Sequence, residues 1–167
     1  GPRGPVVAPT SGVSLYAHPM RPESKGHIHI TSADPRQPPA INFNFLSAAV
    51  DGELTVRAIQ IARSIMTAKV LAPLRITEDA PGTDRQTDDE ILDWVKGAAE
   101  TTYHPVGTAK MGNDPMAVVD PRLRVHGIAG LRVADASIMP TLTSGNTNAP
   151  SIMIGEKAAA MVLEDAA

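Results

Sequence analysis

The chain contains no cysteine among its 167 residues, which excludes disulfides, thiolate zinc sites and cysteine nucleophiles. Aromatic side chains make up only 3% of it, so a core has to be built from Val, Ile, Leu, Met and Ala. No apolar run approaches the roughly 18 residues that a membrane-spanning helix needs. The opening stretch GPRGPVVAPTSG lacks the charged-then-apolar order of a signal peptide. We therefore expect a cytoplasmic protein with no membrane span.

Charge of one sign is not concentrated anywhere along the chain. Fifteen Lys and Arg are scattered among eighteen Asp and Glu, and the formal net charge is -3. No basic block or aromatic-basic stripe is present, which argues against a nucleic-acid partner.

Residues 1–13 form a segment in which proline and glycine recur, including Pro2, Pro5 and Pro9. Such a composition supports neither a helix nor a central strand. We expect an irregular lead-in, typical of an interior loop of a longer chain.

Three short segments of the first third have the composition or the alternation of β-strands: SLYAH (14–18), HIHIT (27–31) and INFNF (41–45). In the second and third, apolar residues alternate with polar ones, which is the period of a half-buried strand. These segments predict an antiparallel sheet with one solvent-exposed face and one buried face. The residues expected on the buried face are Ile28, Ile30, Ile41, Phe43 and Phe45.

The apolar period changes to that of a helix after residue 51. Asp51 is expected to cap this helix, and Pro73 is expected to end any continuation. The predicted apolar stripe consists of Leu54, Ala58, Ile61 and Ile65.

A second helix is predicted from the stretch TDDEILDWVKGAAE. Thr87 and Glu90 have the spacing of a capping box. The expected apolar stripe is Ile91, Val95 and Ala98.

The remaining third predicts two short strands, VVDPRLRVHG (118–127) and GLRVADAS (130–137), with turns at Asp120-Pro121 and Gly127. A final helix is expected from Pro150, because a helix N-terminus has no use for the N–H that proline lacks. Its predicted stripe is Ile152, Gly155, Ala159 and Val162. The whole pattern is that of an α+β fold.

The stretch TTYHPVGTAKMG places His104 in a loop. Pro105 biases His104 away from helical backbone, and an imidazole can take and return a proton near neutral pH. The local sequence leaves two interpretations open: a proton-transfer residue, or a buried histidine bonded to a neighbouring carbonyl.

The other four histidines predict no metal site. His27 and His29 share one face of a strand and could share a metal, but no third ligand of suitable spacing follows them, so a solvated face is the preferred interpretation. His18 and His126 are expected at the surface.

The stretch SGNTNAPSIM (144–153) favours the proton-transfer interpretation of His104. Asn146 and Asn148 lie directly before a helix, where free N–H groups and the positive end of the helix dipole stabilise negative charge. Part of the role of Asn148 is expected to be that of an N-cap. Together these features predict a ligand-facing loop.

The two stretches YHPVGTAKMG (103–112) and LRVADASIMPTLTSGNTNAPSIMIGEKAA (131–159) resemble the C-terminal region of the glucose–methanol–choline (GMC) flavoprotein oxidoreductases. The resemblance is greatest to the choline dehydrogenase, bacterial alcohol dehydrogenase and hydroxymethylfurfural oxidase branch. It extends from about residue 14 to 162.

This resemblance implies two parts of a fold. Residues 14–104 would be a substrate-binding domain with an antiparallel sheet flanked by helices. Residues 105–167 would be the C-terminal segment of a Rossmann-type FAD-binding domain. The phosphate-binding GxGxxG of that domain is absent from the sequence. The expectation is therefore that the N-terminal FAD-binding part of the enzyme is supplied as a separate chain.

The resemblance also implies a function, which is FAD-dependent oxidation of a small alcohol to an aldehyde or ketone. His104 would accept the hydroxyl proton, Asn146 would hydrogen-bond the oxygen, and hydride would pass to flavin N5. Residues expected to bind the cofactor are Tyr103, Asp135, Ala136, Thr147, Asn148 and Pro150. Two alternatives remain open: a non-redox GMC lyase or photoenzyme, and a binding or assembly fragment without catalysis. The scarcity of aromatics argues against an aromatic cage for a quaternary ammonium.

Overall fold

A computed structural model describes residues 11–167. Most of the predicted lead-in therefore lies outside the described residues. The strands are β1 (His27–His29) and β2 (Ala40–Asn42), and the α-helices are α1 (Ala49–Met66), α2 (Asp88–Ala98) and α3 (Asn148–Asp165). Two 3₁₀ helices span Lys69–Leu74 and Ala136–Ile138.

The sheet consists of β1 and β2 in antiparallel pairing, with Ile28 opposite Ile41. β1 lies within the predicted segment 27–31, and β2 overlaps the predicted segment 41–45 but begins one residue earlier. Residues 14–18 have no strand structure, so the strand predicted there is wrong. The predicted buried face is also wrong, because Ile28 is 42% exposed and Ile41 57% exposed. Ile30, Phe43 and Phe45, the other residues of that face, are exposed as well. No helix of the described residues covers this short ribbon.

Asp51 lies inside the first turn of α1 and does not cap it. The N-cap position is Ala48, which has no side-chain capping bond, so the predicted capping role is wrong. The Asp51 side chain is buried and accepts hydrogen bonds from the backbone N–H of Glu23 at 2.9 Å and of Ser24 at 2.8 Å. The Ser24 hydroxyl donates a further bond to Asp51. The carboxylate therefore joins α1 to the irregular segment that precedes β1.

Helices α1 and α2 pack on each other around Val56, Ile91 and Val95, each at most 4% exposed. The partly buried residues Leu46, Ile59, Leu92 and Trp94 surround this cluster. Gly52 allows the close approach, because a Cβ there would lie 3.2 Å from a methyl of Leu92.

The predicted apolar stripe of α1 is not its buried face. Leu54, Ile61 and Ile65 are each about half exposed, at 47%, 48% and 50%. The reason is that α1 carries apolar residues on two sides, and α2 packs on the side of Gly52 and Val56. For α2 the predicted stripe is confirmed at Ile91 and Val95 and wrong at Ala98, which is exposed.

The predicted capping box of α2 is present. The Thr87 hydroxyl accepts from the backbone N–H of Glu90 at 3.3 Å, and the Glu90 carboxylate accepts from that of Thr87 at 2.9 Å. Helix α1 ends at Met66, and Pro73 lies within the following 3₁₀ helix.

A second core fills the C-terminal third. Its buried members are Val119, Leu123, Ile138, Met139, Ile154 and Ala158. The two predicted strands are reduced to isolated bridges that pair Met111 with Val119, Val119 with Val125, and Arg124 with Arg132. The predicted turns are present, at residues 121–122 and 126–127. Turns this close together leave no room for longer ladders.

Helix α3 packs on this core through Ile154 and Ala158, which are four residues apart and lie on one face. The predicted stripe is wrong, since Ile152 is 60% and Val162 49% exposed. The expected position of Pro150 in the first turn is confirmed. Within residues 11–167, no helix has the length and apolar character needed to cross a membrane.

Candidate active site

His104 lies in a loop whose backbone is sharply bent. Tyr103 has a left-handed backbone with φ of 61°, and its N–H donates to the Thr101 hydroxyl at 3.0 Å. Non-glycine residues rarely adopt a left-handed backbone, and those that do cluster at functional sites. The bend leaves Tyr103 73% exposed and His104 half-buried.

Backbone hydrogen bonds bring the histidine loop beside the asparagine loop. The N–H of Ala109 donates to the carbonyl of Ser137 at 3.0 Å, and that of Met111 donates to the carbonyl of Ile138 at 2.7 Å. His104 lies shortly before residues 109–111, which donate these bonds, and Asn146 lies shortly after residues 137–138, which accept them. The two bonds therefore fix the relative position of the two loops.

The side chains of His104 and Asn146 are in contact although they are 42 residues apart in sequence. Nε2 of His104 lies 3.2 Å from Oδ1 of Asn146. Nδ1 of the same ring lies 3.0 Å from the hydroxyl oxygen of Thr147. Asn146 is exposed, whereas Thr147 is 9% exposed. One ring nitrogen thus faces an accessible carboxamide and the other faces a buried hydroxyl.

The first turn of α3 lies next to this pair. Thr147 occupies the N-cap position, and its side chain makes no capping bond. The predicted N-cap role of Asn148 is wrong, because Asn148 is the first helical residue and is exposed. The first N–H groups of α3 and the positive end of its dipole are therefore not satisfied by a capping side chain.

The remaining predicted cofactor residues occupy a 3₁₀ turn that precedes the asparagine loop. Asp135 accepts from the backbone N–H of Ser137 at 2.7 Å, and so caps the 3₁₀ helix that begins at Ala136. The exposed histidine–asparagine pair and the uncapped α3 terminus suit the edge of a flavin that carries hydrogen-bond acceptors. A phosphate-binding glycine loop is not among the described residues.

The hydrogen bonds of this site involve no other histidine among residues 11–167. The rings of His27 and His29 are 4.8 Å apart on the exposed ribbon, and Nε2 of His126 lies 3.1 Å from the carbonyl oxygen of Gly112. No group of three or more potential metal ligands occurs among residues 11–167.

Two contacts at the site were not predicted from the sequence. One is the bond between Thr147 and His104. The other joins Nε of Arg21 to the Ser144 hydroxyl at 2.7 Å, and so links the segment before β1 to the asparagine loop. The position of Thr147 beside Asn146 was the available signal for the first, and the sequence holds no signal for the second.

Comparison with known proteins identifies the family. The family model for the GMC oxidoreductase C-terminal region matches residues 22–155. The chain belongs to the GMC oxidoreductases. This confirms the resemblance that the paired histidine and asparagine motifs indicated.

Among curated relatives, this GMC oxidoreductase chain is similar to an oxygen-dependent choline dehydrogenase of Cronobacter sakazakii. The two are 51% identical over 148 residues, which cover 89% of this chain and 26% of the relative. The chain thus spans about a quarter of the length of the curated relatives it matches.

Two solved structures share the fold. Pyridoxine 4-oxidase from Mesorbium loti superposes with a TM-score of 0.79 at 36% identity, over 84% of this chain and 27% of that one. An FAD-dependent oxidoreductase from Chaetomium thermophilum superposes with a TM-score of 0.82 at 29% identity, over 87% and 25% of the two chains. These comparisons confirm FAD as the predicted cofactor and the small antiparallel sheet with helices as the fold.

Proposed function

We infer that the chain forms part of an FAD-dependent enzyme that oxidises an alcohol to an aldehyde or ketone. The observation that carries this proposal is the 3.2 Å contact between the side chains of His104 and Asn146. The two residues come from different loops, and their contact is accessible to solvent. When bound, FAD supplies the acceptor for the hydride that leaves the carbinol carbon. The work left to this chain is to hold the hydroxyl group and to remove its proton.

In this proposal Nε2 of His104 receives the hydroxyl proton. Asn146 donates a hydrogen bond to the alcohol oxygen as negative charge develops there. General base catalysis of this kind contributes about 10²–10⁴-fold to the rate. The open first turn of α3 stabilises negative charge near Asn148 and Pro150. Tyr103, Asp135, Ala136 and Thr147 are proposed to lie along the cofactor.

The domain assignment is part of the same proposal. The core around Ile91 lies within residues 14–104, proposed as substrate-binding domain. The core around Val119 lies within residues 105–167, proposed as the C-terminal segment of the FAD-binding domain. This separation of the two cores supports a boundary near His104.

A further segment is proposed to provide the phosphate-binding part of the FAD site. The prediction of a separate partner chain is not favoured by the relatives, because in each of them the matched region is about a quarter of one longer polypeptide. We propose a continuous chain as the working form of the enzyme. A small molecule with a hydroxyl group is the proposed substrate, in line with the choline and pyridoxine in the names of two relatives.

The test is anaerobic mixing of the flavin-loaded enzyme with choline and with pyridoxine, while the visible absorbance of the flavin is recorded. Bleaching by either alcohol is expected, and His104→Ala should slow it by about 10²-fold or more. His18→Ala is the control, because His18 is exposed and takes no part in the hydrogen bonds of His104.

Other outcomes would exclude the proposal. Bleaching at an unchanged rate in His104→Ala removes this residue from the reaction. Substrate turnover with a flavin that stays oxidised indicates the non-redox alternative. A purified protein without flavin indicates the binding or assembly alternative.

A further inference from the structure

The imidazole of His104 has a partner at each ring nitrogen. Nε2 lies 3.2 Å from Asn146 and Nδ1 lies 3.0 Å from Thr147. A neutral imidazole carries one N–H and one lone pair, and the partner of one nitrogen decides which nitrogen keeps the lone pair. A histidine that accepts a proton needs that lone pair on the nitrogen facing the reactant.

The hydroxyl of Thr147 does not cap α3, although Thr147 occupies the N-cap position. A threonine at the N-cap of a helix ordinarily accepts a hydrogen bond from an N–H of the first turn. Here the side chain makes no such bond, and its oxygen lies against the histidine ring instead. The backbone carbonyl of Thr147 accepts from the N–H of Ser151 at 3.0 Å and from its hydroxyl at 2.7 Å. The backbone of Thr147 is therefore held by the first turn of α3, while its hydroxyl contacts Nδ1 of His104.

The two hydrogen-bond partners of the His104 ring differ in their exposure to solvent. Thr147 is 9% exposed and Asn146 is exposed. Oδ1 of Asn146 faces Nε2, which matches a ring that carries a proton on Nε2. A half-turn of the carboxamide brings its NH₂ group to the same place, which matches a ring with its lone pair on Nε2. A hydroxyl can donate or accept, but only by accepting from Nδ1–H does Thr147 keep the same bond before and after Nε2 takes up a proton.

We propose that Thr147 is a positioning residue for the proton transfer, one that holds His104 as the Nδ1–H tautomer and so keeps the lone pair on Nε2. This role rests on the proposed function of His104 as the base. The alcohol proton moves to Nε2, and the ring then donates to Thr147 from Nδ1 and to Asn146 from Nε2. This role is additional to the cofactor contact proposed for Thr147 above.

The kinetic test compares three variants of the flavin-loaded enzyme. Thr147→Val keeps the volume and removes the hydroxyl, and it should slow anaerobic flavin reduction by saturating alcohol about 10-fold, the value of one hydrogen bond. Thr147→Ser restores the hydroxyl and should recover most of the rate. Thr143→Val is the matched control in the same loop, where the hydroxyl lies 3.5 Å from the Gly145 carbonyl, and it should react at the wild-type rate.

Two kinetic results would overturn the proposal. One is a wild-type rate for Thr147→Val. The other is an equal loss in Thr147→Val and Thr147→Ser, which would show that the hydroxyl is not the group responsible. A loss of bound flavin in Thr147→Val, with the rate per flavin unchanged, would also overturn it and would leave Thr147 with the cofactor contact alone.

A spectroscopic test reads the tautomer without turnover. The ring nitrogens of ¹⁵N-histidine-labelled enzyme are observed by NMR, and the His104 signals are assigned by their loss in His104→Gln. The wild type should show the Nδ1–H form, and Thr147→Val a mixture of the two tautomers. An Nε2–H form in the wild type, or unchanged signals in Thr147→Val, would disprove the positioning role. If His104→Ala leaves flavin reduction unchanged while the NMR result holds, the proposed function fails and the contact of Thr147 stands.

Discussion

The carboxylate of Asp51 accepts a hydrogen bond from the hydroxyl of Ser24, across 27 positions of sequence. The same hydroxyl accepts from the backbone N–H of Ala48 at 3.1 Å, directly before α1. A single serine side chain thus connects the start of α1 to the buried acid of its first turn.

Replacement of this acid should destabilise the protein. Asp51→Asn removes the charge that strengthens the bonds from Glu23 and Ser24, and hydrogen bonds to a charged group are worth about 1.5–3 kcal/mol each. We expect a loss of about 2 kcal/mol in the free energy of unfolding, measured by chemical denaturation. Glu53→Gln, an exposed acid on the same helix, should leave the free energy unchanged. Equal effects of the two substitutions would contradict the role of Asp51.

Acid should weaken the same contact. Burial raises the pKa of Asp51, but the hydrogen bonds from Ser24 and Glu23 outweigh it and the net pKa is lowered. Because the folded pKa lies below the unfolded value of about 3.9, ionised Asp51 stabilises the fold above that value and loses this effect as pH falls through the folded pKa. The difference in stability between wild type and Asp51→Asn should therefore shrink on acidification below pH about 4. A constant difference across that range would disprove the linkage.

A pair of isoleucines tests which face of the first two helices is buried. Ile91 is 0% exposed between α1 and α2, whereas Ile61 on α1 is 48% exposed. Truncation of a buried isoleucine to alanine costs about 2–5 kcal/mol, so Ile91→Ala should lower the denaturation midpoint strongly. Ile61→Ala makes the same chemical change and should have less than half that effect. A larger effect of Ile61→Ala would support the stripe predicted for α1 and would contradict the burial of Ile91.

The capping box of α2 gives a smaller and more local effect. Thr87→Ala removes the acceptor for the Glu90 N–H and should cost about 1 kcal/mol, measured as a lower thermal midpoint. Thr87→Ser keeps the hydroxyl and should stay within a few tenths of a kcal/mol of wild type. A loss as large in the serine variant would indicate packing of the threonine methyl as the cause.

The end of α3 is held by ion pairs whose arginine side chains are partly exposed. Arg132 donates to Asp165, and Arg122 donates to Asp165 at 2.6 Å and to Glu164 at 3.1 Å. The bond from Arg132, followed by that from Arg122, lowers the pKa of Asp165.

Asp165→Asn should therefore lower the thermal midpoint at low salt. At about 1 M salt the Debye length is about 3 Å, and the difference from wild type should become small. Glu156→Gln on the exposed face of α3 is the control, and it should show no salt-dependent difference. A salt-independent effect of Asp165→Asn would point to something other than charge.

Local chemistry made part of the fold predictable from the sequence. The capping box of α2 was predicted correctly because its donors and acceptors lie within four consecutive residues. The position of the two-stranded sheet was predicted, but the burial of its apolar face was not. The alternation of apolar and polar residues indicates a strand, and it does not show whether another element packs on the apolar side. The stripe of α1 failed for a related reason: both sides of this helix are apolar, and the choice between them is made by α2.

The candidate site shows the same limit. Motif resemblance indicated His104 and Asn146 as a pair, and the structure places their side chains in contact. The contact of Thr147 with Nδ1 was not predicted, because an N-cap threonine normally bonds within its own helix and its position beside Asn146 was the single signal for it. Only the relative position of two loops, 43 residues apart at this contact, turns its hydroxyl toward the ring.

The two bonds from Ala109 to Ser137 and from Met111 to Ile138 involve backbone atoms alone. The bond between Ala109 and Ser137 therefore does not depend on their side chains, whereas Ile138 and Met111 also belong to the C-terminal core. Sequence drift or the exchange of homologous segments in chimaeric enzymes can alter the side chains at 109 and 137 and leave the reacting groups aligned. Proline at 109 or 111 is the exception, because it lacks the hydrogen that each bond requires.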